Sequence, residues 1–479
     1  MRIGSRLIQN TGFVFIAGVF DRIFSLFFII YAARILGPGD FGLYALIGTV
    51  TFLFFYFGNL GIGPMAIRDI ARDKTKAEEL FSHILSLRIS LVILSYPFIV
   101  LVVNLLGYPD DVKHLIYVAG LSAIFSTFSS SFDILYKAFE RFKAPSVISV
   151  LVSFLRNMSN ILILYLGFGL NGIIWISFLG AFLGAVISGL WIRSKFLKYR
   201  FAFDLSTWKN ILLHSMPFAI LSFFQQANRH LNILLLSKLP GPFPGDVAMG
   251  YYNPPSSVGK VAMMLPESFR QAALPTISSN AENIKIVGKI IDRSTKSLLV
   301  MVIFPLILAT TFFPEEIITI IFGKEYLPSA PALTVFGWAY AFQVFNAPVT
   351  ATLSASKEIK RFIPWAMLVL GINIILAVPL ILYYSFLGAA IAFLVSKVIE
   401  TAFRRYLLQN IWGIRGLDLQ GSFKLLAPMA IIFVMILLAY LSSVSTERLL
   451  IFTAILYLAY VFSIRDLREG VISFIGGLR

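Results

Sequence analysis

Strongly apolar segments follow one another along nearly the whole chain, and they limit what it can fold into more than any other feature. Each is close to the roughly 20 residues that a helix needs to cross the hydrocarbon core of a bilayer. None shows the alternation of apolar and polar residues over about ten positions that marks a membrane β-barrel strand. The pattern therefore predicts an all-α polytopic membrane protein and excludes a soluble enzyme.

The composition supports a membrane protein and excludes several kinds of site chemistry. Of the 479 residues, 58% are apolar and 13% are charged, whereas a soluble domain carries about 25% charged residues. The absence of Cys excludes disulfides, thiolate nucleophiles and Cys-ligated metals, and the four His residues match no zinc spacing. We therefore expect no metal and no other cofactor.

The formal net charge of +16 does not indicate a nucleic-acid partner. Nucleic-acid binding requires a basic patch on a soluble surface, whereas basic residues of membrane proteins collect in cytoplasmic loops. We therefore expect no nucleic acid among the partners.

Fourteen transmembrane spans are predicted, and the short connections between them are rich in Gly and Pro. In chain order, spans 1 to 14 lie near residues 8–33, 41–63, 81–106, 114–136, 144–166, 172–192, 210–237, 248–276, 297–314, 329–354, 362–384, 388–408, 425–443 and 449–464.

Lys and Arg predict the orientation of these spans. With the N-terminus inside, the alternate connections hold 28 Lys and Arg on the cytoplasmic side and 5 on the outer side. Cytoplasmic loops of membrane proteins carry such an excess. We expect a multi-pass protein of the cell membrane with both termini in the cytoplasm.

Short motifs recur in the same order in the two halves of the chain. Gly42 follows a Gly-Pro turn after span 1, and Gly250 follows a similar turn after span 7, at an offset of 208 residues. Gly172 opens span 6 and Gly388 opens span 12, at an offset of 216 residues. A similar basic and Pro-containing segment lies between the two motifs in each half.

These repeats predict three parts. Two six-helix lobes cover residues 1–205 and 206–410, and two additional spans with a cytoplasmic tail cover residues 411–479. Each lobe begins inside and has an even number of spans, so the lobes are parallel repeats. Transporters built this way bind their substrate between the halves, near the bilayer midplane.

Several of these motifs resemble a known family. Residues 33–38, 41–44, 58–63, 68–72 and 250–252 are similar to the polysaccharide-exporter branch of the MATE-like flippase superfamily, which includes the Wzx-type O-antigen flippases. The resemblance covers the whole chain. It implies a V-shaped transporter of fourteen helices with a cavity lined by spans 1, 2, 7 and 8.

The resemblance also implies a function. Such proteins move a polyprenyl-(pyro)phosphate-linked oligosaccharide from the cytoplasmic to the outer leaflet by alternating access, for surface polysaccharide or glycan assembly. The partners implied are the lipid-linked oligosaccharide, membrane lipids and the polysaccharide assembly machinery. The polyprenyl tail would stay in lipid or in a groove near spans 13 and 14.

Ionisable residues inside the spans are the candidate site residues. Each costs about 2.5–3.5 kcal/mol at the bilayer centre, so most must face protein or a water-filled lumen. Seven are basic and four are acidic, which predicts a lumen suited to an anion. The candidate substrate-binding residues are Arg22, Arg229, Lys260 and Arg270. The candidate lumen or gating residues are Asp21, Arg34, Asp133, Arg156, His230, Asn232 and Glu267.

Asn232 bears on which energy source drives transport. Many members of the resembled family have an acidic residue at this point of span 7, so the resemblance argues against cation coupling at Asn232. Coupling to the membrane potential or to an ion gradient is expected instead, with dependence on the potential favoured.

Other charged residues are expected to have structural roles. Arg88 lies early in span 3, so we expect its side chain to reach the interface. Lys397, Glu400 and Arg404 have the spacing to pair along one helix face. Residues 284–296 alternate apolar and basic positions at helical spacing, which predicts an amphipathic helix against anionic lipid headgroups.

Two alternative functions stay open. A multidrug or cation exporter of the same fold should have mainly acidic residues in its cavity, whereas basic residues are in excess here. A membrane polysaccharide polymerase or ligase usually needs a large outer loop, and the longest predicted outer connection covers only residues 315–328.

Overall fold

The computed structural model describes residues 2–139, 143–195, 199–267, 277, 283–355, 359–414, 419–442 and 445–463. The regular elements within these ranges are helices, which confirms the all-α prediction. In the same ranges, seven helical segments are long and apolar enough to cross a membrane on their own.

Eight helices form the first part of the chain: α1 (Arg2–Asn59), α2 (Ile62–Arg72), α3 (Ala77–Leu105), α4 (Asp110–Ala138), α5 (Lys143–Tyr165), α6 (Gly169–Lys195), α7 (Leu205–Leu236) and α8 (Gly245–Ala262). The following helices are α9 (Ile284–Leu298), α10 (Phe304–Phe312), α11 (Pro314–Ile321), α12 (Ala330–Phe345), α13 (Ala347–Ala355), α14 (Ile363–Trp412), α15 (Leu419–Leu441) and α16 (Thr446–Ser463). Each of the fourteen predicted spans overlaps one or more of these helices.

Two of the helices contain a break that separates neighbouring spans. In α1 the break is at Gly37, which has φ 68° and ψ 175°. Glycine adopts positive φ without steric cost, and Pro38 directly after it suits the first turn of a helix. In α14 the break is at Ser385, with φ 49° and ψ −128°. Both breaks lie between predicted spans, so the sequence located them correctly.

The start of α7 precedes the predicted span 7, which begins near residue 210, and it is capped by a side chain. The Asp204 carboxylate accepts hydrogen bonds from the backbone N–H groups of Ser206 and Thr207, both at 3.1 Å. These bonds satisfy donors that a helix N-terminus leaves without partners. The hydrogen bond from the Thr207 hydroxyl, followed by those from the backbone, lowers the pKa of Asp204.

The chain divides into two compact units. Unit 1 comprises residues 1–253, 359–374 and 381–386, and unit 2 comprises residues 254–358, 375–380 and 387–479. In unit 1, helix α7 packs against α1, α2 and α3. The lobes predicted over residues 1–205 and 206–410 are defined by sequence repeats and stay a prediction.

Each unit has an apolar core that joins several helices. In unit 1, one cluster includes Ile70, Phe81, Leu135, Ile192 and Ile211, from α2, α3, α4, α6 and α7. The helix ends that it joins were all predicted to lie on the cytoplasmic side. In unit 2, another cluster joins α10, α15 and α16 through residues that include Val300, Phe312, Phe313, Ile432, Ile436 and Leu449.

Helix α9 corrects one prediction. Its apolar residues Val287 and Ile291 are 0% and 1% exposed, and the helix packs against α13 within unit 2. The basic residues Lys285, Lys289 and Arg293 are exposed. The amphipathic helix is therefore present as predicted, but Val287 and Ile291 pack against protein and not against lipid. The contact of its basic face with anionic headgroups stays a prediction.

Candidate functional site

The structure joins the candidate residues Asp21 and Arg156 by an ion pair. Arg156 on α5 places Nη2 3.9 Å from Oδ1 of Asp21 on α1. Asp21 also accepts a hydrogen bond from the Ser153 hydroxyl. The side chains are 43% exposed for Asp21 and 47% for Arg156. Asp21 thus pairs across two helices.

Arg22 and Arg229 are exposed side chains on membrane-spanning helices. Within the described part of the chain, neither guanidinium has an ion-pair partner. Arg22 follows Asp21 on α1, but successive residues of a helix point about 100° apart. Asp21 therefore pairs with Arg156, and the Arg22 guanidinium is left available to bind an anion.

His230 and Asn232 lie beside Arg229 on α7 and are held by neighbouring helices of unit 1. The His230 Nδ1 atom lies 3.3 Å from the Thr49 hydroxyl, and its ring stacks on Phe52 with the centroids 4.6 Å apart. Asn232 is fully buried and donates a hydrogen bond of 3.0 Å to the Tyr252 hydroxyl. Asn232 is thus a buried amide that joins α7 to α8.

A pair of buried amide side chains was not predicted from the sequence. Asn228, one turn before Asn232 on α7, accepts a hydrogen bond of 2.7 Å from Nδ2 of Asn373. Both residues are buried, at 4% and 0% exposure. Asn228 and Asn232 are four residues apart and therefore lie on one face of α7. This spacing is visible in the sequence, but it involves no charged residue and so was not among the predicted site features.

The remaining candidates are distributed over several helices. Lys260 is exposed on α8, and Glu267 is partly buried a few residues beyond that helix. Arg34 and Asp133 are exposed on α1 and α4. Arg270, the fourth candidate for substrate binding, lies outside the described residues.

Arg88 departs from its predicted position. It is 1% exposed and does not reach the interface, so that prediction was wrong. Its guanidinium donates to the Gly58 carbonyl at 3.1 Å, to the Ser131 hydroxyl at 2.8 Å and to the Asn59 side chain. These partners come from the neighbouring helices α1 and α4, where Arg88 fixes the C-terminal end of α1.

The predicted pairing along α14 is confirmed. Lys397 donates to Glu400 at 2.8 Å, and Arg404 pairs with the same carboxylate. The sequence did not single out Arg405, whose guanidinium lies 4.3 Å from the centre of the Phe345 ring. All three of its nitrogens are buried without a hydrogen-bond acceptor among the described residues.

The described residues contain no group of three or more His, Asp or Glu side chains arranged to hold a metal ion. Several polar groups in the spans instead join two helices, as Asp21 does with Arg156 and Asn228 with Asn373. Such an arrangement suits binding and conformational change, and the exposed Arg22 and Arg229 suit an anion.

Exchanging the charges of Asp21 and Arg156 tests whether they act as a pair. Asp21→Arg alone and Arg156→Asp alone each place two like charges side by side, so we expect both variants to lose transport. The double variant restores opposite charges and should recover part of the transport activity. Transport and the amount of folded protein are measured for all three. Equal loss in the single and double variants would show that the pair is not what matters at these positions.

Comparison with known proteins identifies the family. The model of the family described as polysaccharide biosynthesis proteins matches residues 7–281, which is more than half of the chain. The chain belongs to this family. The resemblance of its connections to the polysaccharide exporters is thereby confirmed.

Relatives in this family have names that concern surface glycans. The chain is 21% identical to the capsular polysaccharide biosynthesis protein CapF of Staphylococcus aureus, over 85% of this chain and 100% of that protein. It is 24% identical to a low-salt glycan biosynthesis flippase of Haloferax volcanii, over 36% of this chain and 37% of that protein.

Solved structures confirm the MATE-like transporter fold. The lipid II flippase MurJ in an inward closed conformation matches with a TM-score of 0.76 at 21% identity, over 94% of this chain and 98% of that one. The MATE transporter VcmN of Vibrio cholerae matches with a TM-score of 0.61 at 15% identity, over 85% and 96% of the two chains.

Proposed function

We propose that this protein is a flippase that moves a polyprenyl-(pyro)phosphate-linked oligosaccharide from the cytoplasmic to the outer leaflet by alternating access. Family membership, relatives named for capsular polysaccharide and for glycan flipping, and the fold of a lipid II flippase support this proposal. The observation that carries it is the exposure of Arg22 and Arg229 on spanning helices, with no ion-pair partner in the described ranges.

Phosphate is the group that these cations suit best. An Arg guanidinium binds phosphate through two parallel hydrogen bonds, and Lys binds it as a point charge. We propose that Arg22, Arg229 and Lys260 contact the phosphate at different depths, with Arg270 nearer the cytoplasmic mouth. Asp21, Arg34, Asp133, Arg156, His230, Asn232 and Glu267 would shape the lumen or its gates.

A groove in unit 2 supports an apolar tail on the substrate. It has a volume of about 240 Å³ and is lined by residues of α10, α11 and α16 and by Phe313 between two of them: Pro305, Leu308, Ala309, Phe313, Ile317, Leu450, Thr453, Ala454 and Tyr457. Nearly all of its surface is carbon. Helices α15 and α16 correspond to predicted spans 13 and 14, and a groove near these spans was one of the two expected places for the polyprenyl tail, the other being the lipid.

The two alternative functions, a multidrug or cation exporter and a membrane polysaccharide polymerase or ligase, receive less support. The carboxylate of Asp21, on a spanning helix, is already paired with Arg156, whereas a cation exporter needs carboxylates that its substrate can reach. For a polymerase or ligase, the connection Lys324–Ser329 after α11 is a short 3₁₀ turn and offers little room for an acceptor sugar. We propose transport without bond-making chemistry.

A reconstitution experiment tests the proposal. Purified protein in liposomes is given a fluorescent polyprenyl-diphosphate-linked oligosaccharide, and an impermeant reagent reports the sugar exposed on the outside. We expect labelled lipid to become accessible faster than in empty liposomes, with no release of free sugar. Accessibility equal to that of empty liposomes would refute flipping, and released oligosaccharide would indicate an enzyme.

Membrane potential is the expected energy source. Moving one charge across the membrane yields about 2.3 kcal/mol per 100 mV, and outward movement of a diphosphate is favoured when the inside is negative. Since the buried Asn232 offers an amide in place of a carboxylate, we expect flipping to follow an imposed potassium-diffusion potential more than a pH gradient. Flipping that persists without potential and stops when only the pH gradient is removed would contradict this.

We further propose that the protein lies in the cell membrane with both termini in the cytoplasm, in contact with membrane lipids and with the polysaccharide assembly machinery. The distribution of Lys and Arg supports the orientation.

A further inference from the structure

Two glycines of unit 1 bring α1 and α8 into backbone contact. A Cβ atom added to Gly42 would lie 1.9 Å from the Asp246 carbonyl oxygen, and one added to Gly250 would lie 1.8 Å from the Pro38 carbonyl oxygen. No side chain fits at such distances, so this crossing requires glycine in both helices. Small residues allow helices in membranes to approach this closely.

The contact is reciprocal between the sequence repeats. Gly42 and Gly250 occupy equivalent positions of the two repeats, and each would touch the segment that contains the other. Under a twofold relation, a residue on one side contacts the equivalent region of the other side, and the converse also holds. The glycine crossing is the contact expected on an axis that relates the repeats.

A lysine and a tyrosine hold the same end of unit 1 together. Lys238, just after α7, donates a hydrogen bond of 2.6 Å to the carbonyl oxygen of Leu106, and its Nζ lies 3.4 Å from the centre of the Tyr108 ring. The Tyr108 and Ser237 hydroxyl oxygens are 2.7 Å apart. The cation meets the carbonyl end of α3, where a positive charge is favourable.

Tyr108 is 6% exposed, which agrees with a tight contact at this place. Desolvation lowers the pKa of Lys238 and raises the pKa of Tyr108. The neighbouring Phe243, Tyr251 and Phe386 form an aromatic cluster, with ring centroids 5.3 to 5.6 Å apart. The connections between spans 1 and 2, 3 and 4, 7 and 8, and 11 and 12 therefore meet at one end, and all four are predicted to be outer connections.

We propose that these contacts form an outer latch, defined as the Gly42–Gly250 crossing together with the bonds of Lys238 to Leu106 and Tyr108. The latch closes the outer end of unit 1 in this conformation and must separate before an oligosaccharide can leave on the outside. Lys238, Gly42 and Gly250 are positioning residues for transport. The role of the latch in transport rests on the proposed function, whereas the closure of the latch is measurable without transport.

A disulfide across the latch provides the first test. A Cβ atom on Gly39 would lie 3.4 Å from Oδ2 of Asp246, so side chains at these two positions can meet. Since the chain has no Cys of its own, Gly39→Cys combined with Asp246→Cys is expected to form a disulfide under mild oxidation. Transport should then stop and return on reduction, and each single variant should be insensitive to oxidation.

The rate of disulfide formation provides the second test. Lys238→Met removes a hydrogen bond and a cation–π contact. In the double-cysteine background we expect it to slow formation of the disulfide about tenfold, which corresponds to 1.4 kcal/mol. Lys113→Met is the matched control, because Lys113 lies at the same end of unit 1 and pairs with Asp110 of its own helix.

The outcomes separate the latch from the proposed function. Failure of the disulfide to form, equal rates for Lys238→Met and Lys113→Met, or transport that continues after oxidation would each overturn the latch. A disulfide that forms and is slowed by Lys238→Met, in a protein that flips nothing in either redox state, would support the latch and refute flipping.

Discussion

Arg22→Ala and Lys260→Ala are each expected to abolish flipping while leaving the amount of folded protein near normal. Counting about 1.5 Å per residue along a helix from the predicted ends of their spans, Arg22 lies roughly 21 Å from the cytoplasmic end and Lys260 roughly 18 Å from the outer end. Both are therefore near the midplane. A charge-assisted hydrogen bond contributes about 1.5–3 kcal/mol, and each tenfold change in rate corresponds to about 1.4 kcal/mol. Losing the bonds to one of these cations therefore lowers the rate by about 10-fold to 100-fold or more.

The measurement is flipping in liposomes, together with the melting temperature of the purified variants. Arg22→Lys and Lys260→Arg keep the charge and should retain part of the activity, since the two side chains bind phosphate with different geometry. Lys76→Ala is a control, because its side chain is 75% exposed in a short turn and pairs only loosely with Asp73, at 3.6 Å. Full activity of the Arg22→Ala and Lys260→Ala variants at native expression would show that these cations are structural.

The helices were predictable because each is an apolar run bounded by residues that end helices. Gly37 has a positive φ, and the Gly-Pro pair there separates spans 1 and 2 as the sequence indicated. Periodicity, however, reports that one face is apolar without stating what covers it. For this reason α9 was placed against lipid, whereas Val287 and Ile291 pack against protein.

The candidate site was less predictable because a side chain's partners come from distant parts of the chain. Lys397 and Glu400 lie on one helix, so their spacing was sufficient to predict the pair. Asp21 and Arg156 are on different helices, and the sequence marked both as charged in a span without indicating that they meet. The position of Arg405 could not be predicted, because its stacking on Phe345 depends on tertiary packing.

Arg88 shows that a charge inside the membrane can be satisfied without a carboxylate. Its guanidinium donates four hydrogen bonds, to the Gly58 carbonyl, the Asn59 amide oxygen and the hydroxyls of Ser130 and Ser131. Such neutral acceptors carry no signal in a search for charge pairs. The difference between Arg88 and Arg22 lies in these acceptors, and it separates a structural cation from a candidate for substrate binding.

Arg88→Met is accordingly expected to destabilise the protein severely. Methionine fills much of the volume, but it leaves the Gly58 carbonyl, the Asn59 side chain and the serine hydroxyls buried without their donor. Each buried polar group left without a partner costs about 1–3 kcal/mol, so several of them together cost a large part of the roughly 5–15 kcal/mol that stabilises a typical protein. We expect a marked loss of folded protein and a lower melting temperature, measured by size-exclusion chromatography of heated samples.

Arg156→Met is the matched control for Arg88→Met. It removes an arginine of the same size from a spanning helix, but one that is 47% exposed and joined to a single carboxylate at 3.9 Å. Its melting temperature should fall less than that of Arg88→Met, and Arg88→Lys should lie between the native protein and Arg88→Met, since lysine keeps the charge but reaches fewer of the four acceptors. An Arg88→Met variant as stable as the native protein yet inactive in flipping would place Arg88 in the transport path, because the acceptors around it would then have no structural need of the guanidinium.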